Sequence, residues 1–330
     1  MASYHLEAKI IGRSGGRSII ASVAYRTASE MTDAETGTRH DYTRKAGVAD
    51  SFILTPDGSP AWARERASLW QAVQEKENRK NSQLAREIIV ALPNELAPDD
   101  RADLLRGWLR DNLTSLGMVA DVAIHDPEPD TPDTPRNPHA HILLTLRQLD
   151  PATADGWAKG KAREWNAPET LIGWRASWAD HQNRALEKAG ANARVDHRSL
   201  ADQRSDALAQ GDELTAKILD RPPEPRMGMA SAVVEKRAKR AGEAGPVTPQ
   251  GRAVNDARNL RRRLETAFQR AREAGHFLRS IARRKPEAQR PRSGPLAHIR
   301  RMIDDQREAV TRHDQPTAEP SDDSSPSPLD

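Results

Sequence analysis

The 330-residue chain has no cysteine. That excludes a disulfide framework, a thiolate metal site and a cysteine nucleophile, and it suits a reducing compartment. Long apolar runs are missing too. None approaches the ~18 residues that would suggest a membrane span, so no membrane insertion is expected. The N-terminus carries no basic-then-apolar leader, which points to a cytoplasmic protein. Aromatics make up only 4% of the chain, while proline and glycine number 23 and 19. A domain of about 200 residues with an appendage fits this composition better than one dense core. Several nucleotide and hydrolase signatures are also absent: Gly-x-x-x-x-Gly-Lys-Ser/Thr, Gly-x-Gly-x-x-Gly, Gly-x-Ser-x-Gly and His-Glu-x-x-His. Their absence removes the commoner ATPase, dinucleotide, esterase and zincin chemistries.

What charge there is lies unevenly. Residues 1–225 carry 29 Lys and Arg against 34 Asp and Glu, residues 226–312 carry 22 against 9, and residues 313–330 carry none against five. A basic stretch followed by an acidic tail reads either as a polyanion-binding appendage or as a solvated charged helix. The run Arg221-Pro222-Pro223-Glu224-Pro225 has the composition of a linker. The expected organisation is a domain over 1–220, a basic helical region over 221–312 and a disordered acidic tail over 313–330.

The pattern along the first 200 residues mixes strands and helices. Tyr4 to Ile11 alternates like a half-buried strand, and Ile19 to Arg26 reads as a helix started by Ser18. Ser59-Pro60 resembles a helix start, Glu87 to Leu92 a strand stopped by Pro93, and Pro98 and Pro168 open further helices. Val254, Ala257, Leu260, Leu264, Ala267, Phe268 and Ala271 recur at helical spacing, predicting a long amphipathic helix over about 251–285.

Chemistry concentrates in Asn137-Pro138-His139-Ala140-His141, which runs into the apolar Ile142-Leu143-Leu144. On a strand, His139 and His141 point to one face. His125 ends another apolar segment, Val119 to Ile124. Pairing of the two segments brings three imidazoles together, a donor set for a divalent ion with positions left open. The bland alternative is a pair of histidines on a polar strand face. The 126–138 connection holds five prolines and is no tight hairpin turn.

The chain has three tyrosines, Tyr4, Tyr25 and Tyr42. Tyr25 follows a glycine-rich turn that carries Arg13 and Arg17, a setting able to hold phosphates. A tyrosine there can attack phosphorus. Composition alone favours an ordinary helix tyrosine, and Tyr42 is the second candidate nucleophile. Glu87 is placed either to orient a ligand histidine or to accept a proton, with Asp121 a second candidate for the orienting role. Trp157 and Trp165 read most strongly as core residues.

Taken in order, these pieces resemble the MobA/MobL family of plasmid mobilisation relaxases, members of the His-hydrophobic-His endonuclease superfamily. The resemblance rests on Tyr4-His5-Leu6, Arg13-Ser14-Gly15-Gly16, Ala24-Tyr25-Arg26 and His40-Asp41-Tyr42-Thr43-Arg44-Lys45-x-Gly47-Val48. It continues through Asn81-Ser82-Gln83-Leu84-Ala85-Arg86-Glu87, Ala91-Leu92-Pro93-x-Glu95-Leu96, Ile124-His125 and Asn137 to His141. Arg163-Glu164-Trp165-Asn166, Trp178-Ala179-Asp180 and Asp196-His197-Arg198-Ser199 close the set, which spans about residues 2–200. Two features depart from the pattern: the small Ala140 between the histidines, and a long acidic, proline-rich connection before Asn137.

The resemblance implies an α+β fold, a central antiparallel sheet with helices on one side and a metal site on its central strands, followed by a helical, partly disordered C-terminal region. Tyr25 would cut one DNA strand at an origin of transfer, leaving a 5′-phosphotyrosyl link, with Glu87 assisting. His125, His139 and His141 would hold Mn2+ or Mg2+, although three histidines taken alone look more like a zinc set. Single-stranded DNA would meet Arg13, Arg17, Arg26, Lys45 and Arg198. Duplex origin DNA, accessory mobilisation proteins and a type IV secretion coupling protein are further expected partners. The rival readings are a phosphodiesterase that uses water and a non-catalytic origin-binding protein.

Overall fold

The computed structural model describes residues 3–16, 18–129 and 136–284. Five strands form one sheet: β1 (Leu6–Gly12), β4 (Val48–Leu54), β5 (Gln83–Ala91), β6 (Ala120–His125) and β7 (His139–Leu144). Their order across the sheet is β1-β5-β7-β6-β4, and every pairing is antiparallel. β2 (Glu30–Asp33) and β3 (Thr38–Asp41) make a separate hairpin. The turn between them is closed by the Gly37 amide, which donates to the Asp33 carbonyl at 2.7 Å.

Side-chain alternation sorts the sheet into two faces. Ile88, Val90, Ala140, Ile142, Leu144, Ala120, Val122 and Ile124 share one core with Trp108 of α3 (Pro98–Asn112) and with Trp174 and Trp178 of α4 (Pro168–Lys188). Ala140 therefore fills the buried side of the strand, at 0% exposure, and is the small residue beneath the two histidines. The opposite face carries Glu87, His139, His141 and Leu143. Leu143 and Ala85 of this face join a second core with α1 (Ile19–Thr27) and α2 (Arg66–Lys76). Helices thus cover both faces, not one, because this second face is apolar at one end and polar only around the histidines. Trp157 and Trp165 are buried in the two cores, at 3% and 5% exposure, so both pack as core residues.

Local chemistry sets the element ends. Ser18 Oγ accepts from the Ala21 amide at 3.2 Å and donates to Asp33 at 2.7 Å, which fixes the start of α1 on the small hairpin. The helix expected at Ser59-Pro60 begins instead as a short 3₁₀ turn, Ala61–Arg64. α2 proper starts at Arg66, capped by the Glu65 carboxylate through the Ala67 and Ser68 amides. α5 (Leu200–Ala209), α6 (Glu213–Leu219) and α7 (Met229–Arg240) precede α8 (Pro249–Arg284), the long helix expected from its periodicity. The first compact unit of the chain ends at Glu265, so the boundary expected at 220/221 falls inside it. Residues 285–330, including the stretch read as an acidic tail, lie outside the described residues. Among the described residues no helix is long and apolar enough to cross a membrane.

Ala28 ends α1 with φ of 52°, the one non-glycine residue at positive φ among those described. A left-handed alanine costs about 1–2 kcal/mol, while a glycine loses roughly 0.5–1 kcal/mol more backbone entropy on folding. Strain relief wins narrowly. Ala28→Gly should raise stability by about 0.5–1 kcal/mol, read as a higher urea midpoint at unchanged slope. A lower midpoint would refute this account of the cap.

Candidate active site

β6 and β7 bring the three histidines together. His125 is directly opposite His139, and His141 follows two residues on, on the same face. Ring centroids stand 5.2 Å (His125–His139), 4.7 Å (His125–His141) and 5.3 Å (His139–His141) apart. One ring nitrogen from each lies within 4.8 Å of the others, and this is the cluster of metal-ligand type found among the described residues.

Each ring uses a nitrogen on a fixed oxygen acceptor. His125 Nε2 donates to the Arg26 carbonyl at 2.6 Å, His139 Nδ1 to the Asn137 carbonyl at 2.8 Å, and His141 Nδ1 to Glu87 Oε1 at 2.7 Å. A carbonyl or carboxylate only accepts, so those three nitrogens carry the protons. The other nitrogen of each neutral ring keeps its lone pair, as ligation requires. Burial, reinforced by Lys45 and the neighbouring imidazoles, pushes His125 down to about 4. Burial also lowers His139. At neutral pH these two rings are uncharged, as ligation requires, and the trio as a whole fits a divalent cation by donor chemistry.

Glu87 is the hub. Its side chain has no exposed surface, yet it meets Arg26 Nε at 2.5 Å and NH2 at 2.8 Å, Lys9 Nζ at 2.9 Å, and His141. Burial alone would raise its pKa, but the hydrogen bonds from His141, Arg26 and Lys9 overcome that and hold the carboxyl well below its ordinary range. Asp121, the alternative, is spent elsewhere: it accepts from Arg66 at 2.9 Å and from Trp70 Nε1 at 2.9 Å.

Arg26 ties this hub to the helix that carries Tyr25. Its guanidinium holds Glu87 and the Ser22 carbonyl, and its own carbonyl holds His125. Tyr25, one residue earlier, is 52% exposed. Lys45 Nζ donates to the Tyr25 carbonyl at 2.9 Å and lies 4.3 Å from the centre of the Tyr25 ring. Burial, followed by the Arg26 charge, lowers the Lys45 pKa from its usual value.

The other expected phosphate contacts are engaged in the structure. Arg13 is held by Glu35 at 2.7 Å and by the Gln74 and Glu77 carbonyls at 2.6 and 2.7 Å. Arg198 bridges Asp196 and Asp206, both at 2.8 Å. Arg17 lies outside the described residues. Lys9, which completes the hub, has no sequence motif of its own; only the register Lys9↔Glu87 reveals it.

Glu87 supplies a pH test. Its folded pKa is depressed, so its stabilisation is complete above the ordinary value of 4.5 and is lost as the pH falls toward the folded value. Glu87→Gln strands Arg26 and Lys9 beside an uncharged amide and should destabilise by about 3 kcal/mol at pH 7. The gap to wild type should shrink between pH 5 and pH 3 (about the ordinary carboxylate range) in urea titrations. A gap that stays constant across this range would show that the carboxylate charge contributes nothing.

With this geometry in view, the likenesses to known proteins are informative. The model of the MobA/MobL family matches residues 17–217. A "Mobilization protein MobL" of Acidithiobacillus ferridurans is 37% identical over 264 residues, covering 72% of this chain and 65% of that protein. A "Probable mobilization protein MobA" of Bifidobacterium longum is 34% identical over 246 residues, covering 62% of this chain and 42% of that protein. The chain therefore spans about two thirds and two fifths of the length of these curated relatives. A structure solved in work on the molecular basis of vancomycin resistance transfer in Staphylococcus aureus superposes with a TM-score of 0.54 at 36% identity, over 60% of this chain and all of that one. The family match covers all the candidate site residues except Lys9 and Arg13. The chain belongs to the MobA/MobL family.

Proposed function

We propose that this chain nicks and rejoins one DNA strand at a plasmid origin of transfer, with Tyr25 as nucleophile. One observation carries the reading. Arg26, adjacent to Tyr25, holds His125 through its carbonyl and reaches His141 through Glu87. The helix with the candidate nucleophile is thus fastened to two of the three candidate metal ligands.

His125, His139 and His141 are the residues that would hold the ion, with Glu87 and the Asn137 and Arg26 carbonyls orienting their rings. A bound divalent cation offsets charge on the non-bridging phosphate oxygens and aligns the phosphate for in-line attack. An all-imidazole set suits Mn2+ better than Mg2+, which favours oxygen donors. Tyr25 Oη forms the bond to phosphorus and gives up its proton to water. The P–O3′ bond breaks, and the 3′ oxygen leaves and takes up a proton. The products are a 5′-phosphotyrosine and a free 3′-hydroxyl, and the retained phosphodiester energy lets the 3′-hydroxyl reverse the step. Glu87 acts as the orienting group: both its oxygens are occupied and its basicity is low, so it is a poor proton acceptor. Single-stranded DNA is the substrate, and the relatives named for mobilisation support that setting. Duplex origin DNA, accessory proteins and a secretion coupling protein belong to the wider proposal.

The test uses single-stranded oligonucleotides tiled across the replicon that encodes the chain, with Mn2+. Wild type should give a denaturation-resistant protein–DNA adduct, abolished by chelator and by Tyr25→Phe. His141→Ala should lower nicking by at least about 100-fold while leaving DNA affinity within a few-fold. Cleavage with no adduct would establish the water-using phosphodiesterase instead. Chelator-insensitive binding without cleavage would leave an origin-binding protein.

A further inference from the structure

Tyr25 poses a physical problem. A nucleophile must hold its oxygen to well within an ångström, since a 1 Å misplacement can cost about 100-fold in rate. Yet this side chain is more than half exposed and sits in the last turn of α1. Among the described residues, the contacts seen on its ring come from Tyr42 and Lys45, both outside α1.

The restraint comes from a turn nearby in space. The Lys45 amide donates to the Tyr42 carbonyl at 2.9 Å, closing a four-residue turn, and Asp41 Oδ1 accepts from both the amide and the hydroxyl of Thr43. The Tyr42 amide donates to the Ser29 carbonyl at 3.1 Å, which fastens the turn just beyond the end of α1. Both side chains at the ends of this turn reach Tyr25. The Tyr42 ring stands edge-on to the Tyr25 ring, with centroids 5.3 Å apart and planes at 90°. Lys45 places its ammonium 4.3 Å from the same ring's centre and bonds the Tyr25 carbonyl. Tyr42 is itself half-buried against the core shared by α1 and α2, so it is a firm wall for its exposed neighbour. Edge-to-face and cation–π attractions both arise from the ring's quadrupole and are directional. Both contacts depend on the orientation of the Tyr25 ring.

We propose that the Tyr42–Lys45 turn is a clasp that fixes the Tyr25 ring for attack, with Tyr42 and Lys45 as positioning residues. Tyr42 is then a support for the nucleophile and not a second nucleophile. Lys45 serves the protein's own side chain before any phosphate. The inference rests on Tyr25 being the nucleophile, so the experiment must separate the two ideas.

With only three tyrosines, ring-labelled [13C]tyrosine gives a spectrum of three residues, in which Tyr25→Phe assigns the Tyr25 signals. In wild type without DNA, the Tyr25 ring should be dispersed from random-coil positions. Lys45→Met and Tyr42→Leu should each move it toward them. A Tyr25 ring at random-coil shifts in wild type overturns the clasp whatever the activity. The second arm measures single-turnover adduct formation at saturating concentrations of the oligonucleotide that wild type nicks. Lys45→Met and Tyr42→Leu should lower the rate by about tenfold or more with the dissociation constant within about twofold. Lys45→Arg and Tyr42→Phe, which keep the cation and the ring, should restore most of it. Lost affinity with an unchanged saturated rate for Lys45→Met would make Lys45 a phosphate contact and overturn the proposal. Tyr42→Phe as inactive as Tyr25→Phe would also overturn it. An adduct formed by Tyr25→Phe would instead remove the nucleophile assignment, a failure of the underlying reading that the spectrum reports separately.

Discussion

A carboxylate with no access to water must be surrounded by donors or give up its charge, and Glu87 meets that demand in a way that builds the site. Its donors come from three separate elements: Lys9 of β1, Arg26 of α1 and His141 of β7. Each must arrive within hydrogen-bond reach at the same time. That condition fixes the seat of α1 on the sheet and the tautomer of His141 together. Buried ion pairs of this kind add little net stability compared with apolar packing. What Glu87 contributes is a single permitted arrangement, because any slip of α1 leaves a buried charge unpaired at a cost of several kcal/mol.

The sheet supplies the rest by alternation. Along β7, His139 and His141 face the site while Ala140 and Ile142 enter the core under α3 and α4. One strand therefore anchors the site to the tryptophan-rich layer with no intervening loop. The connection between β6 and β7 is pinned at both stems. Arg101 and Arg136 meet Asp126 at 3.1 and 3.0 Å, Asn94 bonds the Arg136 carbonyl, and the Leu92 amide bonds the Pro138 carbonyl at 2.9 Å. These bonds keep His125 opposite His139 even though their separation in sequence is too long for a tight turn.

How much of this could be read in the sequence follows from the range of each interaction. His139 and His141 were legible as a pair because period-two alternation is local, and His125 joined them through the expected pairing of its segment with theirs. The start of α1 was legible because Ser18 caps it three residues away. Glu87 was legible as a partner for the candidate ligands, since a charged residue opening an apolar strand is conspicuous. Lys9 was not, because its role depends on pairing with a strand 78 positions along the chain. Arg13 and Arg198 look free in sequence, but a guanidinium has five donors, and folding brought carboxylates and carbonyls to both. α5 and α6 were missed because they bury almost nothing: Ala207 and Ala216 are the residues that go inside. Such helices have no apolar stripe for periodicity to detect.

The acidic balance of residues 1–225 is at odds with the proposed polyanionic substrate only when charge is averaged over the domain. Lys9 and Arg26 meet the Glu87 carboxylate, and Lys45 lies close enough to His125 and His139 to help lower both, with Asp126 acting on His139 in the opposite sense. At physiological salt, charges beyond about 8 Å are largely screened, so a phosphate at this face responds to the cluster and hardly at all to acidic residues elsewhere. The cations that organise the candidate site internally also supply it with local positive charge. The same small set of residues thus bears both on where the helix of the proposed nucleophile sits and on what kind of ligand the face attracts.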